Sequence, residues 1–469
     1  MSLFHALRPA RPASGAQVEQ LLAVLARSTP TVHLPGSEEY AAAVAPWNLA
    51  VAPRPLAVVA AERAEDVVAA VRFARRHRLA VTVQATGHGV THALDGTILV
   101  STRLMRSLQL HADDRWVRAQ AGVTWDEVLQ AGAPHGLAGL SGSAPGVGVV
   151  GYTTGGGHGP LARSHGLASD TVRAFEVVTG DGQLRRVTKR EHPDLYWGLR
   201  GGKGALGIVT AIELDLLPIR DLYAGSVWFD GADAPEVLRA WARWSVSLPS
   251  GATTSVAMMR LPDLPGVPPP LAGRLTVSVR FAWVGDPARG AEVLAPLRAA
   301  ATPLVDTVAV MPYAALGAIH ADPVDPMPSR EAHALLRAFP EAAVEQLLRL
   351  AGPQVPDCPL VAVEVRQLGG AVSRVREPSA VDHRDAAYSL FVVGPAVPPV
   401  VDAVDRAAAA LLQGLRSWDT GGRLPNFAPP STREAAERAW SAPTRDRLRR
   451  VSRAYDPRGV IAAAAPLRR

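Results

Sequence analysis

One histidine in this 469-residue chain, His88, stands between two glycines in Ala85-Thr86-Gly87-His88-Gly89, directly after the apolar run Leu79–Gln84. An imidazole on so tight a loop has three readings. It is a surface or satisfied core residue, a metal ligand, or a nucleophile that attaches a prosthetic group. A His88-x-x-x-His92 metal pair needs a helix to bring both rings to one face, and Gly87 and Gly89 argue against a helix there. Four further residues are candidates for moving a proton: Tyr152, Glu364, His383 and Tyr388. Tyr152 directly follows a glycine-rich turn, with structural hydrogen bonding as its plain alternative. Glu364 lies in the apolar run Val361–Val365 with Arg366 on the same strand face, so a buried ion pair is the alternative. His383 sits in the charged stretch Asp382–Asp385, which also reads as a solvated turn. Tyr388 opens an apolar strand, where core packing competes.

Glycine is concentrated in three loops, 85–89, 146–159 and 201–207. The second contains Gly146-Val147-Gly148-Val149-Val150-Gly151, a match to G-x-G-x-x-G. A dinucleotide fingerprint of that kind follows a strand and opens a helix. Here the loop Leu140–Pro145 precedes it and Gly155-Gly156-Gly157, poor helix formers, come soon after. The nicotinamide reading is therefore disfavoured. Glycine-rich backbone still lets main-chain amides approach an anion closely. Three such loops converging on one long phosphorylated cofactor is more economical than three unrelated surface turns.

The elements that must position these loops alternate. Leu56–Ala60 is expected as a strand, Glu65–His77 as a helix and Leu79–Gln84 as a strand. Thr97–Ser101 and Trp116–Ala119 read as strands, and Thr124-Trp125-Asp126-Glu127 as a capping box. Val172–Thr179 and Gln183–Thr188 form a hairpin about Gly180-Asp181-Gly182, followed by a helix over Asp194–Arg200 and a strand over Gly207–Leu217. A further helix is expected over Gln17–Arg27. After Pro218 the texture changes. Strands Leu275–Ala282, Val361–Arg366 and Tyr388–Val393 mix with helices Glu236–Val246, Glu341–Leu350 and Val400–Leu415, which reads as an antiparallel sheet covered by helices in an α+β fold. Two more helices, Thr432–Ala439 and Arg445–Arg453, lie in the tail.

Composition narrows the classes. Hydrophobic residues make up 48% and charged residues 20%, enough apolar side chain for large cores, so global disorder is excluded. Cys358 is the single cysteine, which removes intrachain disulfides and multi-cysteine metal sites and leaves redox chemistry to a cofactor. The net charge of +6 comes from scattered arginines set near Asp and Glu, without a basic block interleaved with aromatics, so nucleic acid is not an expected partner. The apolar patch Leu21–Ala26 is short against the ~20 residues that span a bilayer and lacks a convincing cleavage site, so a soluble cytoplasmic protein is expected.

Val83–Gly89, Val147-Gly148-x-x-Gly151 with Gly155–Gly159, Gly166–Asp170, Asp194–Gly202 and Gly207–Thr210 occur in an order that resembles the FAD-binding domain of the vanillyl-alcohol-oxidase superfamily. The nearest branch is that of the berberine-bridge-enzyme-like oxidoreductases, whose C-terminal segment Asn426-Phe427 and Tyr455-Asp456-Pro457 resemble. The resemblance implies FAD as cofactor and a two-domain fold: residues 1–218 for FAD, 219–419 as the substrate domain roofing the flavin ring, and 420–469 returning to the first domain. It implies a covalent bond from the His88 ring to the flavin. It further implies cofactor contacts from Thr86, Gly87, Gly89, Val147, Gly148, Val149, Gly151, Tyr152, Gly155, Gly156 and Asn426, with Ile208 and Val209 at the adenine end. Two departures are informative. Many relatives carry a second link through a cysteine near the second loop, where this chain has Ser143-Ala144-Pro145, so one covalent link is expected. Many also have a Tyr-x-Asn-Tyr motif, whereas here Leu424-Pro425-Asn426-Phe427 has no hydroxyl. Lys203 and Ala205 stand in a stretch that is usually glycine or asparagine.

The resulting expectation is an FAD-dependent oxidase that takes hydride from a C–H of a small molecule, an alcohol, amine or secondary metabolite, and passes electrons to O2. Its alternatives are a flavin monooxygenase and a non-catalytic, drug-sequestering flavoprotein.

Overall fold

The computed structural model describes residues 23–25, 31–90, 94–375 and 377–468. The helix expected over Gln17–Arg27 lies outside them except for 23–25, and so does His92. Three sheets organise the chain. The first contains β1 (Val32–His33), β2 (Ala57–Ala60), β3 (Ala80–Gln84) and β4 (Thr97–Ser101) in the order β1-β2-β4-β3, with β4 parallel to both β2 and β3. The β-α-β unit read from the sequence is present, but β4 is inserted between its two strands. The helix Ala64–His77 buries Val67, Ala70, Val71 and Ala74, residues at helical spacing, and keeps Arg72 and Arg76 on its exposed face.

The second sheet is antiparallel, in the order β5 (Leu108–His111), β6 (Trp116–Gln120), β9 (Ile208–Asp215), β7 (Val172–Val178) and β8 (Leu184–Thr188). Glu127 caps the helix Trp125–Gly132 by accepting from the Thr124 amide at 2.8 Å. A one-turn helix, Val149–Thr153, starts at Gly148. The sequence reading left this stretch as a loop; the glycines that argued against a helix begin only at Gly155, beyond its end.

The third sheet holds β10 (Asp221–Asp230), β11 (Ala252–Arg260), β12 (Leu275–Trp283), β13 (Val305–Asp306), β14 (Ala309–Pro312), β15 (Ser329–Leu336), β16 (Ala362–Gln367) and β17 (Tyr388–Pro395), all pairs antiparallel. Strand alternation sorts its residues. Val277, Val279, Phe281, Val363, Val365, Leu390 and Val392 enter one apolar core with Trp241, Leu294, Leu347 and Leu411 of the covering helices Ala234–Val246, Pro287–Arg298, Glu341–Ala351 and Val401–Gly414. The intervening residues, Arg280, Glu364, Arg366 and Phe391 among them, face the other way.

Two arginines fasten this sheet to the cofactor-side elements. Arg163 is buried and donates to the carbonyls of Ala252 (2.8 Å), Leu248 (3.0 Å) and Leu368. Arg384 forms a two-pronged ion pair with Asp170 at 2.6 and 2.9 Å. The C-terminal segment returns to the first sheet, where the Val81 amide donates to Val460 at 2.8 Å. Asp456, fully buried, accepts from the amides of Val460 and Ile461 and pins that turn.

Candidate active site

A cavity of about 900 Å³ lies between the glycine loops and the inner face of the third sheet. That is the size of pocket which holds a drug-sized or larger ligand. Its walls bring together residues far apart in sequence: Thr86–Gly89, Val147, Gly148, Gly151, Tyr152, Ile208, Val209, Glu364 and Asn426 all line it. Val149, Gly155 and Gly156 were expected at the cofactor and do not reach the cavity. Val149 turns into the core. A side chain at Gly155 would meet Asn426 Oδ1 at 2.0 Å, so that glycine makes room for the C-terminal segment instead. His383 and Tyr388 are likewise corrected as proton-transfer candidates. His383 Nε2 lies 2.9 Å from the Arg438 carbonyl, away from the cavity. The Tyr388 hydroxyl is 2.9 Å from Ser245 Oγ in the helix-side core, because the strand places it on the covered face.

His88 is presented by backbone geometry. Gly87 has φ +85°, and a Cβ there would lie 3.0 Å from Pro46 Cα and Trp47 N, so only glycine allows this approach. The ring stacks on Trp47 with centroids 5.3 Å apart, and Nδ1 is 2.9 Å from Thr86 Oγ1. The ring is open to the cavity, and desolvation by the surrounding wall, with Lys203 nearby, lowers its pKa to about 4, which favours the neutral ring and its nucleophilic lone pair. Lys203 donates to the carbonyl of Gly151 at 2.9 Å and to Asn426 Oδ1 at 2.6 Å, while Asn426 Nδ2 donates to the Tyr152 carbonyl. Asn426 thus knots the one-turn helix, the third glycine loop and the C-terminal segment together. Burial brings Lys203 down to about 8.

The glycine-rich second loop splits into two parts. At Gly151, which lines the cavity, a Cβ would meet nothing within 4 Å, leaving backbone open to a ligand. At Gly142, Gly157 and Gly159 it would come within about 3.0 Å of the Tyr152 ring or hydroxyl, so these glycines make room for that side chain. The Tyr152 hydroxyl is buried without a partner. Burial raises its pKa well above the usual value, and Arg366 only partly opposes this, so the phenol stays protonated. It can donate a hydrogen bond to a ligand oxygen but not serve as a resting base.

Across the cavity, Glu364 accepts from Ser255 Oγ (2.7 Å), Arg280 Nη1 (2.9 Å) and Arg366 Nε (2.8 Å), with His320 Nε2 at 3.6 Å. Burial works against its charge, but Arg366 and Arg280 win and hold the carboxyl well below its ordinary range. It is a fixed carboxylate. His158 is a residue the sequence reading did not select, although its Gly157-His158-Gly159 setting repeats that of His88. It is buried, both ring nitrogens lack partners, and burial, assisted by Arg366, lowers it to about 3. Arg280 and Trp47 were also passed over; a charged residue inside the apolar run Val277–Ala282 was the available signal for the first. Among the described residues no cluster of three or more His, Cys, Asp or Glu is placed to hold a metal ion.

The site fits FAD: an elongated ligand's volume, open glycine backbone, a buried lysine and a neutral imidazole on one wall. Comparison with known proteins points the same way. Residues 55–188 match the FAD binding domain family. Over 441 residues the chain is 26% identical to an uncharacterized FAD-linked oxidoreductase of Bacillus subtilis, YgaK, covering 90% of this chain and 94% of that one. It is 28% identical over 282 residues to an FAD-linked oxidoreductase of Dictyostelium discoideum, a match spanning 60% of this chain and 60% of that protein's length. The structure superposes on 6-hydroxy-D-nicotine oxidase of Arthrobacter nicotinovorans with a TM-score of 0.79 at 24% identity, over 92% of this chain and 96% of that one. The fold is the two-domain α+β fold it shares with that oxidase and with BBE-like 1 of Physcomitrella patens, on which it superposes with a TM-score of 0.81 at 17% identity over 96% of this chain and 99% of that one. The chain carries an FAD-binding domain over residues 55–188 and is similar along most of its length to an FAD-linked oxidoreductase. None of its described helices is long and apolar enough to cross a membrane.

Proposed function

We propose that the protein is an oxidase that holds FAD through a single covalent bond to His88, removes hydride from a C–H of a small molecule, and returns the electrons to O2. The observation that carries this is the His88 ring, held by Trp47 and Thr86 on the wall of the cavity. On this reading residues 1–218 and 420–469 hold the cofactor and 219–419 the substrate. When bound, FAD would supply the hydride acceptor. The Tyr152 phenol orients a substrate oxygen by donating to it. His158 stays neutral on the same cavity wall, and Glu364 fixes the arginines rather than acting as the base.

The test is made on the denatured, purified chain. A yellow polypeptide whose mass exceeds that of its amino acids by one flavin is expected. After dithionite reduction, aerated buffer should restore the native protein's colour and yield one peroxide per flavin. A chain without chromophore when riboflavin is plentiful, or one that stays reduced in air, overturns the reading. The single link has its own check. Cys358 is buried in the helix-side core of the third sheet and does not line the cavity. Cys358→Ala should retain acid-stable flavin and lose about 1 kcal/mol or less of stability. Release of flavin from this variant would refute single attachment.

A further inference from the structure

The end of the cavity below β12 and β16 has more positive than negative charge in direct contact. Arg280 and Arg366 share one carboxylate, Glu364, and the side chains of Arg280 and Glu364 are only 5% and 6% exposed. Arg366 spends Nε and Nη2 on Glu364 and lays its guanidinium over Phe427. Arg280 Nε is buried without a partner, as are both ring nitrogens of His158 and Nδ1 of His320. All four side chains line the cavity. Asp322, half-buried on the rim, adds a more distant negative charge. Glu331, the other cavity carboxylate of the sheet, is far off: Ala362, its row neighbour through Val393, lies four residues along β16 from Arg366, ~13 Å at strand rise.

Buried Arg280 and half-buried Arg366 share one carboxylate, which leaves an excess of positive charge on the cavity wall, and Arg366 is the guanidinium that reaches the open space. A ligand oxyanion against Arg366 answers that charge. An ammonium would be repelled, and a neutral hydroxyl would leave the charge unanswered. Planar guanidiniums match a carboxylate in shape as well as charge. We propose that this end of the cavity is a subsite for a carboxylate, so that the enzyme's substrates are small organic acids oxidised at a carbon away from the acid group. The proposal rests on the reading of the cavity as the substrate site and names the class of substrate it takes.

The probes are matched pairs, benzoate against benzamide and butyrate against butyramide, titrated calorimetrically into the purified protein with its native cofactor content. Each acid should bind ~tenfold or more tightly than its amide, the worth of a charge-assisted contact. Arg366→Gln should bring the acids down to the level of the amides, and Arg366→Lys should recover part of the preference. Equal affinities within the pairs, including no heat from any of them, overturn the proposal. So does a preference that survives in Arg366→Gln. Should that variant not fold, the wild-type pairs decide the matter together with Arg280→Lys, which keeps the charge, loses the fork, and should weaken the acids alone. Flavin content is read on the same samples. Colourless protein that prefers the acids refutes the flavin reading only, and yellow protein without preference refutes the subsite only.

Discussion

Replacing His88 by alanine is expected to turn a flavin that stays with the acid-precipitated polypeptide into one that is washed away with the supernatant. The reason is local. Covalent attachment needs a nitrogen lone pair, and a protonated imidazole has none available. Desolvation by the cavity wall and Lys203 bring His88 down to about 4, which favours the neutral ring across the physiological range. Gly87 and the Trp47 stack hold it in place. The rest of the cofactor wall does not depend on this side chain: open backbone at Gly151, and the Lys203–Asn426 knot, remain in the variant. His88→Ala should therefore still be yellow when native, with flavin that exchanges, and its thermal unfolding should depend on added FAD by mass action. Mass spectrometry of the denatured chain gives the decisive reading. Acid-stable flavin in the variant, or free flavin from the wild type, would overturn the assignment of His88.

Much of this wall was legible in the sequence because its signals are local. A strand followed by Gly-His-Gly, or glycines at fixed spacing, needs no knowledge of distant contacts. The errors came where a glycine had a packing partner instead of a ligand. Gly155 avoids Asn426, a contact between segments that the sequence does not place side by side. The third sheet was legible where β-branched and apolar residues recur at every second position, as in β12, β16 and β17. It was missed in β10, which carries Gly225 (φ +150°) where its partner changes from β14 to β13, and in β15, which begins with Ser-Arg-Glu. Glu364 and Arg366 were read correctly as facing one way. That Arg280 meets them from two strands away depends on the order β12-β11-β16, with Ser255 between Arg280 and Arg366 in register. Sheet order is a long-range property, and His383 and Tyr388 were misplaced for the same reason: which face of a strand or loop is covered is set by helices elsewhere in the chain.

The cluster also governs stability. Glu364→Ala should cost ~3–5 kcal/mol, the usual penalty for stripping the partner from buried charges, since it leaves two guanidiniums facing each other. In a chain with several cores this appears as a fall in apparent Tm on the order of 10 °C. Glu364→Gln should fall less far, because the amide oxygen still accepts from Ser255 and one arginine. The dependence on pH has a definite sign. In the folded protein the carboxyl sits well below its ordinary 4.5, held there by Arg366, Arg280 and His320 against the effect of burial. Its contribution is therefore complete above about 4.5 and disappears as pH falls through the lower folded value. The gap in Tm between wild type and Glu364→Ala should be constant near neutrality and close only in acid. The variant also ties stability to the substrate class: with the internal carboxylate gone, benzoate should raise its Tm more than the wild type's, and benzamide should raise neither. An unaltered Tm in Glu364→Ala would mean that the arginines find water or another acid nearby, and the charge imbalance on which the carboxylate subsite depends would not exist.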